Sequence, residues 1–143
     1  MESLKRSGRR RGIALIEMAL LLPLLLLILL GLLEYGWLFL KLQAANGATR
    51  EAVRIAVRPS ATNAQVTTRV SDMMTNAGIP ATAYSVVLTP ADVAVVLPGV
   101  QIEVKVLVEY DEIGLFNAPL IPTPDDLTAK TTMAKEGPIP PGS

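Results

Sequence analysis

The side chain with the most chemical meaning is Glu17, a lone acid in a stretch of 21 residues, Ile13 to Leu33, that is otherwise uncharged and almost wholly apolar. A carboxylate in such surroundings costs on the order of a few kcal/mol unless it is paired, neutralised or close to water. Anchoring alone gives no reason to keep it. Glu17 follows Ile13 by four residues, which places it one helical turn further on. Most other reactive chemistry is excluded by composition. The chain has no histidine and no cysteine, which removes zinc-type sites, Ser-His and Cys-His nucleophiles and disulfides. Glu109, Asp111, Glu112, Asp125 and Asp126 are rich in oxygen but lack the ligand spacing of a calcium loop, so no metal is expected. There is no phosphate-cradling glycine loop, no catalytic carboxylate pair and no Ser-Lys signature. The sequence predicts neither an enzyme nor a cofactor.

The elements around Glu17 explain where it sits. Formal net charge is zero, yet residues 1–12 hold Lys5, Arg6, Arg9, Arg10 and Arg11 against Glu2 alone. A basic block beside a long apolar run keeps the N-terminus cytoplasmic, with the remainder exported after one pass. An arginine-rich arm for nucleic acid is the alternative, but the block abuts about 28 mostly apolar residues, Ile13 to Leu40, and no nucleic-acid partner is expected. At a rise of about 1.5 Å per residue, Ile13 to Leu33 covers roughly 30 Å, the thickness of a bilayer core. A removable signal has an apolar region of only about 7–15 residues, although Ala44, Ala45 and Gly47 offer a weak cleavage alternative. Glu34, Tyr35, Trp37 and Lys41 then predict an interfacial belt at headgroup depth, with helix packing as the second reading of the two aromatics. Pro23 removes one backbone donor and tends to kink a helix, which a membrane span tolerates.

The string RRRGIALIEMALLLPLLLL resembles a type IV prepilin N-terminus: a short basic leader ending in Gly12, an apolar stretch beginning at Ile13, and Glu17 as its fifth residue. That resemblance implies cleavage between Gly12 and Ile13 by a prepilin peptidase on the cytoplasmic side, with Glu17 as the recognition and assembly acid. Glu34-Tyr35-Gly36 and Ala48-Thr49-Arg50-Glu51-Ala52-Val53-Arg54 resemble the segment that follows the membrane helix in TadE-like proteins of the tight-adherence pilus system. The valine-rich strand ending in Tyr110, the loop Leu115 to Pro124 and the strand from Leu127 to Glu136 follow the same pattern more loosely. Met18 stands where the major tight-adherence pilins have tyrosine, and those majors are much shorter. Both departures favour a minor subunit over the bulk component of the filament.

Periodicity supplies the rest. Helical character should run on to about Val57, because no proline intervenes between Pro23 and Pro59. Ala45, Ala48, Ala52, Ile55 and Ala56 form one small apolar face, to be covered either by the chain's own domain or by a partner helix. Arg50, Glu51 and Arg54 read as a solvated face. A second helix is predicted from about Thr62 to Ala77, capped by Ser60 or Thr62 and stopped by Gly78 and Pro80. The period then changes to two over Tyr84–Thr89, Val100–Asp111 and, more weakly, Leu127–Met133. The apolar loop Ile113 to Pro124 either marks a contact surface or tucks under the sheet.

The predicted fold is therefore α+β. A basic cytoplasmic leader (1–12, removed) precedes a transmembrane helix (13–40). That helix extends into a small exported domain (41–136) with a second helix and a roughly three-stranded antiparallel sheet, and 137–143 form a disordered tail. The expected role is a minor pilin or pseudopilin supporting assembly of a surface pilus in adhesion or biofilm. The expected location is the bacterial inner membrane, and the chain then sits at the base of the filament or within it. The expected partners are the prepilin peptidase, other pilin or pseudopilin subunits, the inner-membrane assembly platform and the lipid bilayer. A permanently anchored scaffold and a secretion-system pseudopilin are the alternatives.

Overall fold

The computed structural model describes residues 5–116 and 121–138, with side chains from residue 13 onward. The leader side chains Lys5, Arg6, Arg9, Arg10 and Arg11, residues 117–120 of the apolar loop and most of the expected tail (139–143) lie outside the described residues.

Helix α1 spans Lys5–Ala56, 52 residues, and carries Pro23 within it. At about 1.5 Å per residue it is roughly 78 Å long. Leucine, alanine and other good helix formers dominate it. Its surroundings change abruptly at Glu34. From Ile13 to Leu33 every residue except Gly31 is exposed, and this part is long and apolar enough to cross a membrane once. From Glu34 onward one face is buried, at Glu34, Lys41, Ala45, Ala48, Ala52 and Ala56, with Thr49 and Val53 beside it. Steps of three, four and seven residues keep that face on one side of the helix. The small-residue face is thus covered by the chain's own domain, with Ile55 only half-buried at its margin. Alanines there leave room for the sheet and the second helix to come close to the α1 backbone.

Helix α2 spans Asn63–Asn76. Thr62 caps it: its hydroxyl accepts from the Gln65 N–H while the Gln65 side chain accepts from the Thr62 N–H. Such a capping box satisfies two donors that the helix cannot pair itself. At the other end Ile79 N–H donates to Met74 O and Gly78 N–H to Thr75 O, both at 2.9 Å. This closure requires a left-handed residue after the cap, and Gly78 has φ +65°. Val66, Val70 and Met74 are fully buried against α1 and the sheet.

Strands β1 (Tyr84–Thr89), β2 (Gln101–Glu109) and β3 (Asp126–Ala134) form an antiparallel sheet in sequence order. Val106 lies opposite Val86 on one side and Ala129 on the other. Ile102, Val104, Val106 and Val108 are fully buried under α1, as expected for alternate positions of a strand with one covered face. The other face carries Glu103, Lys105 and Lys130, with a surface ion pair between Lys130 and Glu103 at 3.7 Å, a contact of little energetic weight. The architecture is α+β: one long apolar helix, a second helix and a three-stranded antiparallel sheet.

Candidate functional site

Three carboxylates lie on α1, Glu17, Glu34 and Glu51, and the structure gives the first two opposite environments. Ile13 and Glu17 are both exposed, one turn apart on the same face of the helix. Among the described residues Glu17 has neither a hydrogen bond nor an ion pair. Gly12 continues the same helix, whose assigned start at Lys5 takes in the basic leader positions. Residues 5–12 and Glu17 are therefore carried on one continuous helix.

Glu34 is the opposite case. It is fully buried, and its carboxylate meets three donors. The Tyr110 hydroxyl donates to Oε1 at 2.7 Å, Leu115 N–H to Oε1 at 3.2 Å and Phe116 N–H to Oε2 at 2.8 Å. A carboxylate accepts on both oxygens and donates nothing, so three donors converging on it use it well. Tyr110 closes β2 and opens a short 3-10 turn, Tyr110–Glu112, and its N–H donates to Asp125 O at 2.8 Å. Glu34 thereby ties α1 to the end of β2 and to the start of the 113–124 loop. The neighbouring aromatics reinforce this: Trp37 Nε1 donates to Ile113 O at 2.7 Å and the Tyr35 hydroxyl to Pro122 O at 2.6 Å. Burial raises the Tyr110 phenol above its ordinary value near 10, and the hydrogen bond to Glu34 and its negative charge raise it further.

Residues 34, 35 and 37, expected as an interfacial belt, thus also bond the sheet-bearing domain to α1. Contact with the domain begins at Glu34, within the expected 13–40 span. Lys41 does related work. It is buried, its ammonium donates to Ala77 O at 2.7 Å and Gly78 O at 3.2 Å, and it stands 4.3 Å from the centre of the Trp37 ring. A cation at the C-terminus of α2 meets carbonyls left free by the helix and the negative end of its dipole. Burial pushes that ammonium below its ordinary value. Sequence reasoning passed over Lys135, which is buried at the far end of α1 and donates to Ala56 O at 3.1 Å and Val93 O at 2.8 Å. A readable signal existed for two of these residues. Counting back from Ala45 by four and then seven residues puts Lys41 and Glu34 on the buried alanine face. Lys135 gave none, because it follows the last strand residue in an irregular segment.

The exposed side of α1 borders a groove of about 500 Å³ lined by Gly47, Arg50, Glu51, Arg54, Met73, Thr131 and Met133. Its charges are of both signs. The candidate site is therefore the N-terminal rod with Glu17, joined to a domain fixed at Glu34.

Residues 12–54 match the family model described as TadE-like protein. The matched segment starts at the glycine before Ile13 and ends within the buried face of α1, so α2 and the sheet lie outside it. No curated protein and no solved structure matches the chain.

Glu34→Leu strands the Tyr110 hydroxyl and two backbone N–H groups, and should cost roughly 2–4 kcal/mol. Glu34→Gln, which keeps one acceptor oxygen, should cost less. Thermal unfolding of the detergent-solubilised full chain measures the loss, and limited proteolysis should show new cutting between Ile113 and Pro124 in Glu34→Leu. Equal melting and equal protection would remove Glu34 as the tie.

Tyr110 adds a pH dependence. Its phenol holds its proton more tightly in the folded state than in the unfolded chain, so its contribution is fully present below about pH 10 and is lost as pH rises further. Urea midpoints followed from about pH 8 upward should fall more steeply in the wild type than in Tyr110→Phe. Parallel curves would count against this account.

Proposed function

We propose that this chain, TadE-like over residues 12–54, is a minor pilin-type subunit of a tight-adherence pilus, held in the bacterial inner membrane by α1. The observation that carries the reading is Glu17, an exposed acid without a partner on an apolar helix within the matched segment. An acid with no partner among the described residues is explained by a group that cleavage or a neighbouring subunit supplies.

The chemistry is a cut followed by assembly. The leader with Lys5, Arg6, Arg9, Arg10 and Arg11 stays cytoplasmic, because positive residues resist translocation. A prepilin peptidase hydrolyses the Gly12–Ile13 bond, leaving a new amine on Ile13 and the apolar helix in place. The Glu17 carboxylate then pairs with that amine, in its own chain one turn away or in a neighbouring subunit. In a low-dielectric setting an unpaired charge is strongly disfavoured, so the pair sets subunit register more than it adds net stability. The domain from Glu34 onward lies on the outer side and meets other pilin-type subunits and the assembly platform. The protein catalyses nothing in this scheme. Its work is positional.

Removal of residues 1–12 leaves 131 of the 143 residues. The native protein should show that intact mass and begin at Ile13. Gly12→Val should accumulate uncut in the membrane, because a larger side chain crowds the peptidase. Full-length wild-type protein in cells that make the peptidase would instead indicate a permanently anchored scaffold.

Glu17→Gln and Glu17→Leu test the assembly role separately. Each should insert normally, yet a strain carrying only the variant should fail to build pili. Immunoblots of the membrane fraction control for amount. Normal filaments at normal protein levels would leave the carboxylate without an assembly function.

A further inference from the structure

Resting on the reading of α1 as a membrane span, we infer that Leu115 and Phe116 form a second membrane contact, docked into the lipid interface beside the point where the helix leaves the bilayer. Both side chains are about half exposed, at 43% and 45%. Within the same loop Ile113 and Ile121 are buried. Among its described residues the loop turns Ile113 and Ile121 inward and leaves Leu115 and Phe116 outside. Leucine and phenylalanine left outside are unfavourable against water.

Their height relative to the bilayer is fixed by hydrogen bonds. Leu115 N–H and Phe116 N–H donate to the two carboxylate oxygens of Glu34. Glu34 directly follows Leu33, the last residue of the uncharged apolar run. A helix that places Leu33 at the edge of the hydrocarbon therefore places the backbone of residues 115 and 116 at the same level. Tyr35, half exposed and bonded through its hydroxyl to Pro122 O, flanks them with a ring suited to headgroup depth. The occupant that continues from the established apolar surface at Leu32 and Leu33 is the bilayer itself. Glu112 and Asp125 are exposed nearby, so insertion of apolar groups drives this contact rather than attraction to anionic headgroups.

The opposite end of the domain supplies a reference point. Lys135 holds Val93 O beside Ala56 O, which places the loop carrying Val95 and Leu97 at the far end of α1. Ala56 lies 22 residues beyond Glu34, roughly 33 Å along the helix. Leu97 is 64% exposed, yet at that distance it faces water.

Because the chain has no cysteine, single cysteines can be placed at will in the full-length protein. Leu115→Cys and Phe116→Cys keep the backbone N–H groups that Glu34 holds. Leu24→Cys reports mid-span and Leu97→Cys reports the distal tip. Each is labelled with a nitroxide and reconstituted in phosphatidylcholine nanodiscs. Spin relaxation by molecular oxygen, which concentrates in lipid, is then compared with relaxation by a water-soluble nickel chelate. The oxygen-to-nickel ratio at 115 or 116 should be several-fold above that at 97 and below that at 24. Ratios at both loop positions equal to that at 97, with 24 still lipid-like, overturn the loop contact and leave the span intact. A water-like ratio at 24 removes the span, and the loop contact with it. Shielding of both loop positions from both reagents would mean that protein covers them, and would overturn the proposal as well.

Discussion

The structure depends on one buried carboxylate at the place where α1 changes solvent. From Ile13 to Leu33 the helix is exposed except at Gly31, and from Glu34 it is covered on one side only. A helix that is apolar all round is at home in lipid, whereas a one-faced helix is at home against a domain. The junction between them requires a group that ends the apolar surface and begins the fold. Glu34 does both, because its three donors come from the end of β2 and the loop that follows. Two glutamates on one helix, Glu34 and Glu17, differ in almost nothing intrinsic, yet one is satisfied inside the chain and the other is left to its surroundings. A buried acid with three donors has its partners inside the fold. An exposed acid in an apolar run has to find them elsewhere.

Above that junction the domain is hung on α1 by its helix ends as well as by its core. Lys41 projects from α1 and closes the carbonyls at the end of α2. Lys135, after β3, closes the carbonyl of Ala56 at the end of α1, while Glu136 N–H donates to Val57 O at 2.8 Å. Buried lysines are costly unless their donors are used, and here each spans two elements while filling carbonyls that a helix end leaves open. Each also sits where a helix dipole presents its negative end. The alanine face alone gives little lateral specificity, since small side chains slide past one another easily. The two ammonium groups, with the Thr49–Thr131 hydroxyl contact at 3.0 Å, fix the register of α1 against α2 and the sheet.

The elements with a clean period were legible in the sequence. The second helix, expected over Thr62–Ala77, occupies Asn63–Asn76; of the two expected caps, Ser60 and Thr62, it is Thr62 that closes it, and the Gly78 stop is where it was expected. The long alternating strand, expected over Val100–Asp111, is β2 from Gln101 to Glu109. The weak pattern near Leu127 to Met133 is β3. Polar residues inside the fold were harder to read. Glu34, Tyr35, Trp37 and Lys41 carry the composition of a headgroup belt, and composition cannot report that a distant loop supplies donors to them. Their partners lie 76 to 87 residues away for Glu34, Trp37 and Tyr35. Only the spacing of Glu34 and Lys41 along the alanine face hinted at burial. The apolar loop was ambiguous because it does two things: Ile113 and Ile121 tuck in, while Leu115 and Phe116 stay out.

Continuity of α1 gives these details a mechanical consequence. No linker separates the apolar run from the domain, since the same helix continues to Ala56 beneath the sheet. Many anchored domains hang on flexible tethers, where rotation of the span is not transmitted to the soluble part. Here Glu34, Tyr35 and Trp37 clamp the base of the domain to the helix within four residues of the apolar run. Rotating or shifting the span must therefore rotate or shift the domain by the same amount. On the pilin reading, a contact that sets the register of neighbouring spans at Glu17 simultaneously sets the spacing and facing of the domains above them. A single acid near the start of the cut helix, Ile13 to Ala56 and roughly 66 Å long, then orders surfaces at its far end, because no linker interrupts it.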